Sequence, residues 1–299
     1  MLIRNTQILV FLLIWGCCFS SSLAQDNHYI IEHIGVRDGL SKNEVTSIVK
    51  DQEGFFWFGT RGGLNRYDGY DFDQFQPEPG TQNTIKNPSI ERLYQDSRGY
   101  LWIGTKSGGL SRMNLKTHEI THFPFTNDSS GVSDVRIVSF LEDNRGRIWI
   151  GTYSQGVSRY DFQTKTFEHY HQSLGSVRNL CQTRDGNIWA VGGQGLRKFD
   201  EQTNSFNPVG LPEREQYIYL AGLAEDPVHP WLWIGGWGIG MWRYNYQTGE
   251  TRVFFGPRSE KRKLSNIFSL AFDQENTMWI GTWGMGLWTY DKEKDVLQE

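Results

Sequence analysis

The stretch that decides the fold is YLWIGT, residues 100–105, because five similar stretches accompany it along the chain. Each of them joins a Trp to aliphatic or small residues and a Gly. The six tryptophans are Trp57, Trp102, Trp149, Trp189, Trp233 and Trp279. They are separated by 45, 47, 40, 44 and 46 residues. A period of this length without a helical pattern is typical of four-stranded blades repeated around an axis, so the sequence predicts an all-β propeller with six recognisable repeats.

The second repeat shows the four predicted strands most clearly. An alternating run at residues 90–94 is followed by the Trp strand at 100–105, a third strand at 108–113 and a fourth at 120–125. The repeated Trp is interpreted as a core anchor, because a large aromatic side chain at the same place in every unit has a common structural role. The Gly that follows it predicts a close approach of neighbouring backbones.

A turn of the form Asp-x-x-Gly joins the first two strands in repeats one to three. Its Gly is expected at positive φ, and in repeat six Asn276 takes that place because Asn is the next best residue there. Repeat four, with Asp185 and Gly186, and repeat five, between Asp226 and Pro230, have altered turns.

Composition and charge limit the class of function. Charged residues make up 21% of the chain, the net charge is −4 and there is no basic block. Nucleic acid is therefore not the expected partner. Residues 25–299 carry an unbroken repeat, which favours one domain.

The first 24 residues differ from the rest and resemble a secretory signal peptide. Arg4 supplies a positive start, residues 8–19 are apolar, and Ser22-Leu23-Ala24 precedes the expected cleavage site at Gln25. The apolar run is shorter than a membrane span, so we expect an exported protein. A lipoprotein signal ending at Cys17 is the alternative, although the bulky Trp15 disfavours it.

Only one cysteine follows this leader. Cys17 and Cys18 lie within it and Cys181 lies outside it, so no disulfide within the mature chain is expected.

Residues 38–68 bring these features together in one string that resembles the two-component regulator propeller repeat. The resemblance extends over about residues 28–299 and is weakest in repeats four and five. It implies the periplasmic sensor region of a hybrid histidine kinase anchored in the inner membrane. It also implies partner domains in the full-length sensor, namely a further propeller, a β-sandwich, a kinase core and a receiver, and it leaves a homodimer open.

The repeat count predicts an incomplete ring. The sequence after Asp295 is interpreted as the outer strand of repeat six, and residues 29–34 are interpreted as another outer strand that would pair with the last blade. Six repeats with an outer strand at each end predict a missing seventh blade, so we expect the chain to be a fragment of a longer sensor.

The residue that follows each Trp motif opens a loop on one common face of the predicted propeller. These residues are Arg61, Lys106, Tyr153, Gly193, Trp237 and Trp283. Aromatic faces stack on sugar rings and cations pair with carboxylate or sulfate groups, so the candidate ligand is an oligosaccharide, with an acidic one favoured by Arg61 and Lys106.

Five further tryptophans outside the leader support this location, because all of them fall in the last two repeats. They are Trp231, Trp237, Trp242, Trp283 and Trp288. Trp242 and Trp288 occupy equivalent third-strand positions and are expected to pack between blades. Trp237 and Trp283 lie in Gly-rich loops and stay open to a binding role.

No metal site, cofactor or catalytic set is predicted. His118, His122, His169 and His171 fall on outer strands in no recognised metal-binding pattern. Residues 235–240 imitate a phosphate loop in composition only, since no helix follows them. The acids of the turns lie in separate blades and are expected to face away from the candidate loops.

Three functions therefore compete. A ligand-sensing domain fits the repeated sequence motif, the predicted leader and the lack of a recognisable group of catalytic residues. A propeller enzyme acting on glycans, or a quinoprotein dehydrogenase, would need clustered acids or cofactor ligands. A protein-interaction scaffold stays open because a fold alone does not determine function.

Overall fold

The computed structural model describes residues 32–81, 83–171, 174–210, 219–255, 264, 266–292 and 296–298. Residues 35–299 form one compact unit and residues 1–34 form another. Of the smaller unit only residues 32–34 are described, and they form no strand. The predicted signal peptide and most of the predicted strand at 29–34 lie outside the described residues.

The larger unit contains six sheets of four strands each. Blade 1 comprises β1 (Val45–Lys50), β2 (Phe56–Thr60), β3 (Gly63–Tyr67) and β4 (Phe72–Phe75). Blade 2 comprises β5 (Ile90–Gln95), β6 (Tyr100–Thr105), β7 (Leu110–Asn114) and β8 (Ile120–Phe123). Blade 3 comprises β9 (Ile137–Glu142), β10 (Ile148–Thr152), β11 (Val157–Asp161) and β12 (Thr166–Tyr170).

The other three blades repeat this pattern. Blade 4 comprises β13 (Val177–Gln182), β14 (Ile188–Gly192), β15 (Gly195–Asp200) and β16 (Ser205–Pro208). Blade 5 comprises β17 (Leu220–Glu225), β18 (Trp231–Gly236), β19 (Gly240–Asn245) and β20 (Thr251–Phe255). Blade 6 comprises β21 (Ile267–Phe272), β22 (Met278–Thr282), β23 (Leu287–Asp291) and β24 (Val296–Gln298).

Within each blade the strands pair antiparallel in sequence order, and the first strands of consecutive blades lie beside one another. This is a β-propeller with six blades, which confirms the predicted fold. The helical element Val36–Asp38 is a single 3-10 turn. In the part of the chain that the structure describes, no helix has the length and apolar character needed to cross a membrane.

The up-and-down order of the strands defines two ends of the propeller. The turns between first and second strands, and between third and fourth strands, lie at the turn end. The segments entering each blade, and the loops between second and third strands, lie at the loop end. Predicted and observed strands agree closely in blade 2, although β8 stops at Phe123 rather than at residue 125.

A hydrogen bond from the repeated Trp to the turn explains why both recur. The Nε1 of Trp57 donates to Oδ2 of Asp51 at 2.8 Å, while Oδ1 accepts from the amides of Glu53 and Phe55. Blades 2, 3, 5 and 6 make the same indole–carboxylate bond. In blade 4 the hydroxyl of Thr183 replaces the carboxylate at 3.0 Å. One buried side chain therefore satisfies the indole and fixes the turn.

The residues expected at positive φ adopt it. Gly99 has a φ of 82° and Asn276 has a φ of 64°. The Gly after each Trp has the predicted close neighbour as well: a Cβ at Gly104 would lie 2.8 Å from Cβ of Ile137 in the next blade. Both predictions about glycine are confirmed.

Each Trp anchor of blades 1 to 5 packs into the following blade. Trp57, for example, belongs to a cluster with Ile90, Leu93 and Ile103 of blade 2, and the tryptophans of blades 2 to 5 repeat this arrangement. Trp242 and Trp288 are buried in the clusters of blades 5 and 6. Their predicted packing role is thus confirmed.

The outward faces of blades 1 and 6 differ from the faces between blades. Ile48 is 56% exposed, whereas Leu93, the equivalent residue of blade 2, is 4% exposed. Trp279 of blade 6 is half-buried, although the other five anchors are buried. These exposed faces agree with a missing seventh blade, which stays a prediction.

Candidate functional site

The loop end gathers the residues that follow the Trp motifs. In blades 2 to 6 the amide of this residue donates to the carbonyl of the residue just before the first strand of the same blade. The bonds are Lys106–Ser89 (2.9 Å), Tyr153–Arg136 (3.0 Å), Gly193–Ser176 (3.1 Å), Trp237–Tyr219 (2.9 Å) and Trp283–Asn266 (2.9 Å). Because the first strands lie next to one another, these bonds hold the predicted residues close to the propeller axis.

Blades 5 and 6 form an exposed aromatic cluster, which we define as Trp237, Phe268 and Trp283. The ring centroids of Phe268 lie 5.7 Å from those of both tryptophans, and the two indoles are 6.3 Å apart. Trp237 is 49% exposed and Trp283 is 64% exposed. The predicted pair is therefore brought together by a third aromatic ring, and the cluster offers an apolar platform to a ligand.

Tyr153 lies between two arginines of neighbouring blades. The guanidinium carbon of Arg136 is 4.1 Å from the centroid of its ring, and that of Arg178 is 4.9 Å away. Arg178 also lies 5.1 Å from the ring centroid of Tyr219. Cation–π contacts of this kind fix the guanidinium planes beside the loop end.

Arg61 is committed to an ion pair. Its Nε donates to Oε1 of Glu44 at 2.6 Å, and its Nη1 lies 3.7 Å from Oε1 of Glu91. The hydrogen bond with Glu44 raises the pKa of Arg61. The same Glu91 oxygen lies 3.1 Å from Nη2 of Arg136. The candidate ligand-binding cation Arg61 therefore lies beside two carboxylates, while Lys106 is exposed and Gly193 contributes only backbone.

Sequence reasoning missed Glu91, Arg136, Arg178, Tyr219 and Phe268. Each of them directly precedes or directly follows the residue that starts a first strand, namely Ile90, Ile137, Val177, Leu220 and Ile267. A register shift marks this position in the innermost pairing of every blade. The signal that could have found them is therefore their common place beside the start of the innermost strand.

The turn end carries a second cleft, of about 610 Å³, between blades 5 and 6. Asp226 and Lys292 pair with each other in this cleft: Asp226 Oδ2 accepts hydrogen bonds from Nζ of Lys292 and from Nε1 of Trp233, both at 2.9 Å. Burial alone would raise the pKa of Asp226, but these bonds outweigh it and lower the pKa to about 2. The cleft thus lies at the end of the propeller opposite the predicted site residues. The carboxylate of Asp226 accepts hydrogen bonds from the turn and from the indole of Trp233, so its role is structural.

The histidines of the outer strands have ordinary partners. His122 shares a 2.8 Å hydrogen bond with Ser111, and His169 bonds with Ser158 and with the carbonyl of Asp128. Across the described ranges, no group of three or more His, Cys, Asp or Glu side chains is placed to hold a metal ion.

The chain matches the two component regulator propeller, a family of repeats, at residues 39–62, 84–107, 131–154 and 263–284. These segments fall in blades 1, 2, 3 and 6, whose turns keep the form Asp-x-x-Gly or, in blade 6, Asp-x-x-Asn. The chain therefore carries this repeat in four of its six blades, which confirms the resemblance. Blades 4 and 5 lie outside the match, as expected from their altered turns.

A curated relative is Histidine kinase P4 of Formosa agariphila, which is 36% identical over 62 residues. The match spans 21% of this chain and only 4% of that relative.

Two solved structures from B. thetaiotaomicron share the fold. The extracellular domain assigned to the hybrid two component system BT3049 is 23% identical with a TM-score of 0.77, and the match covers 89% of this chain and 36% of that one. The extracellular domain assigned to a one component system, BT4673, is 23% identical with a TM-score of 0.70, covering 86% and 33%. The chain thus spans about a third of the solved chains it matches.

Proposed function

We propose that this chain is the extracytoplasmic sensing propeller of a two-component signalling protein and that it binds an oligosaccharide without acting on it. The kinase that would receive the signal is not part of residues 1–299. A further propeller, a membrane anchor and the signalling domains would belong to the full-length sensor.

The comparisons support the sensor class. The repeat is that of two component regulators, and the curated relative bears the name of a histidine kinase. The solved chains with this fold are extracellular domains. The predicted signal peptide at residues 1–24 supports export to the periplasm.

The observation that carries the ligand class is the exposed aromatic cluster at the loop end. Two indoles, each about half exposed or more, lie within 6.3 Å of one another around Phe268. Exposing this much aromatic surface costs free energy in water, which a bound apolar face would recover. Sugar rings present such faces together with hydroxyl groups.

The two alternative functions make different demands on the same surface. An enzyme that hydrolyses glycans would need a pair of carboxyl groups flanking the ligand, and it would release shortened products. A scaffold would bind a protein and would not distinguish between sugars. Ligand selectivity without turnover is therefore the result that separates the sensor from both alternatives.

The test is calorimetric titration of the intact sensor that contains this propeller with defined oligosaccharides: neutral cello-, xylo- and galacto-oligosaccharides and acidic oligogalacturonides. We expect Trp283→Ala and Trp237→Ala to weaken the binding of a recognised oligosaccharide about fivefold or more, because one stacked ring contributes on the order of 1 kcal/mol beyond area burial. The melting temperature should change little, since both side chains are largely exposed.

Tyr70→Ala is the matched control, because Tyr70 is an aromatic residue that is 89% exposed in a turn at the opposite end. It should leave affinity unchanged. If neither Trp substitution changes the affinity for the oligosaccharide, the ligand binds elsewhere on the protein. Shortened products in the titration cell would favour an enzyme, and a lack of binding by any oligosaccharide would contradict the proposal.

A further inference from the structure

Three buried hydrogen-bond donors near the propeller axis have no hydrogen-bond partner among the described residues. They are Arg136 Nε, Ser176 Oγ and Arg178 Nε. All of them belong to residues beside the start of the first strands of blades 3 and 4. A buried donor without an acceptor costs free energy, so such a concentration at one place points to a missing polar group.

These residues form a continuous set. Arg136 lies 3.1 Å from Glu91 and contacts the ring of Tyr153, whose other neighbour is Arg178. Ser176 is two residues before Arg178, and its carbonyl accepts the amide of Gly193. The unpartnered Nε atoms of Arg136 and Arg178 therefore belong to guanidinium groups that both lie beside the ring of Tyr153 at the loop end.

The local charge is positive although the whole chain is acidic. Three described carboxylates, Glu44, Glu91 and Asp134, lie among four cations of this region, Arg61, Arg92, Arg136 and Arg178. The chain as a whole carries a net charge of −4. The local excess of one positive charge among these described groups attracts anions by simple Coulomb forces.

This excess arises from Arg92 and Arg178. Within the described part of the chain, neither of them forms an ion pair with a carboxylate. Burial lowers the pKa of Arg92, the charge of Glu91 opposes that shift, and the nearby charge of Arg178 adds to it. Two guanidinium groups that repel each other in a partly buried place are stabilised by a shared anion.

We propose that Arg136, Arg178 and Ser176 form a subsite for an anionic group of the ligand, a carboxylate or a sulfate ester. Tyr153 orients the two guanidinium groups, and Arg92 adds charge behind them. The inference rests on the proposed function and narrows it, because the oligosaccharide recognised by this propeller would then be an acidic one. The aromatic cluster would stack on its sugar rings, while the arginines would bind its charge.

The first arm of the test uses the intact sensor with the unaltered propeller. Calorimetric titrations compare an oligogalacturonide with the same oligosaccharide after reduction of its carboxyl groups, and a chondroitin sulfate oligosaccharide with its desulfated form. We expect at least tenfold tighter binding of the charged member in one of the two pairs, with the difference shrinking as salt is raised. The pair that responds identifies carboxylate or sulfate as the anion.

The second arm uses Arg178→Gln and Arg136→Gln. Each should weaken binding of the charged oligosaccharide about tenfold or more and leave the neutral member unchanged. Arg112→Gln is the matched control, because Arg112 also has an unpartnered buried Nε and stacks on an aromatic ring, that of Tyr100 at 4.4 Å, but lies away from the loop end. If a Gln variant does not fold, Arg178→Lys tests the same point, since it keeps the charge and should retain much of the affinity.

Equal binding of the charged and neutral members would overturn the subsite while leaving oligosaccharide sensing in place. Unchanged affinity in both Gln variants would also overturn it. A complete lack of binding by neutral and charged oligosaccharides would overturn the proposed function together with this inference.

Discussion

The Nε1 of Trp102 donates a 2.8 Å hydrogen bond to Oδ2 of Asp96, and both side chains are buried. The other carboxylate oxygen accepts the amides of Arg98 and Tyr100 in the turn. Asp96 is therefore the single group that joins the core anchor of blade 2 to the turn between its first two strands. Because blades 1, 3, 5 and 6 repeat the bond, this relationship is a general device of the fold.

We expect Asp96→Ala to destabilise the propeller by about 2 kcal/mol or more, because it leaves a buried indole N–H and two turn amides without an acceptor. Asp96→Asn should cost less, since its amide oxygen can still accept from one of these donors. Urea unfolding of both variants measures the order. Equal stability of Asp96→Ala and the unaltered chain would show that the bond contributes nothing.

The carboxylate of Asp226 should make stability depend on acid. Its folded pKa of about 2 lies below the ordinary value near 3.9, so the deprotonated form stabilises the fold above pH 4. That contribution, up to about 2 kcal/mol, is lost as the pH falls from about 4 to about 2. Between pH 6 and pH 2 the free energy of unfolding should fall more for the unaltered chain than for Asp226→Asn.

Lys292→Met is the control for this pH dependence. It removes the ammonium group 2.9 Å from Asp226 but leaves the indole bond of Trp233, so the acid dependence should weaken without disappearing. Parallel loss of stability in the unaltered chain and in Asp226→Asn would contradict the assignment.

The close packing of neighbouring blades requires a Gly in the Trp motif, and adding a side chain there should lower stability. Gly104→Ala would place a Cβ 2.8 Å from Cβ of Ile137, so two blades would have to move apart. We expect a loss of about 2 kcal/mol or more, as for overpacked cores. Gly210→Ala is the matched control, because nothing lies within 4 Å of its Cβ position. Thermal melts of both variants should differ clearly, and similar melts would exclude close blade packing as the reason for the Gly.

Most of the fold could be predicted from the sequence because its determinants are local and repeated. The Trp strand, the Gly beside it and the residue at positive φ recur with every blade, and Asn276 follows the same rule as Gly99. The link between Trp102 and Asp96 was not predicted. The aspartates were interpreted only as turn residues, although the hairpin brings residues six apart in sequence together.

The candidate site could be predicted only in part, because its contacts join different blades. Trp237 and Trp283 stood out by composition, but Phe268 between them did not. The sequence predicts a cation for the ligand at Arg61, and it contains no signal for Glu91 of the next blade, which lies beside it. Such contacts depend on how blades stack around the axis, which no pattern within one repeat contains.

The exposed face of blade 1 should become buried in a longer protein. In this chain Ile48→Ser should change stability little, because Ile48 is 56% exposed, while Leu93→Ser should cost several kcal/mol because Leu93 is 4% exposed at the equivalent position. We also expect residues 25–299 to aggregate, since apolar blade faces and strand edges are open to water.

A protein extended past Glu299 through further repeats should melt at a higher temperature and aggregate less than residues 25–299. In that protein a seventh blade would pack on blade 1, and Ile48→Ser would then be about as damaging as Leu93→Ser. Light scattering and thermal melts of the four single-substitution proteins, two in each background, provide the comparison. A monodisperse, cooperatively melting 25–299 chain, together with an Ile48→Ser substitution that is harmless in both backgrounds, would instead favour a propeller of six blades without a seventh.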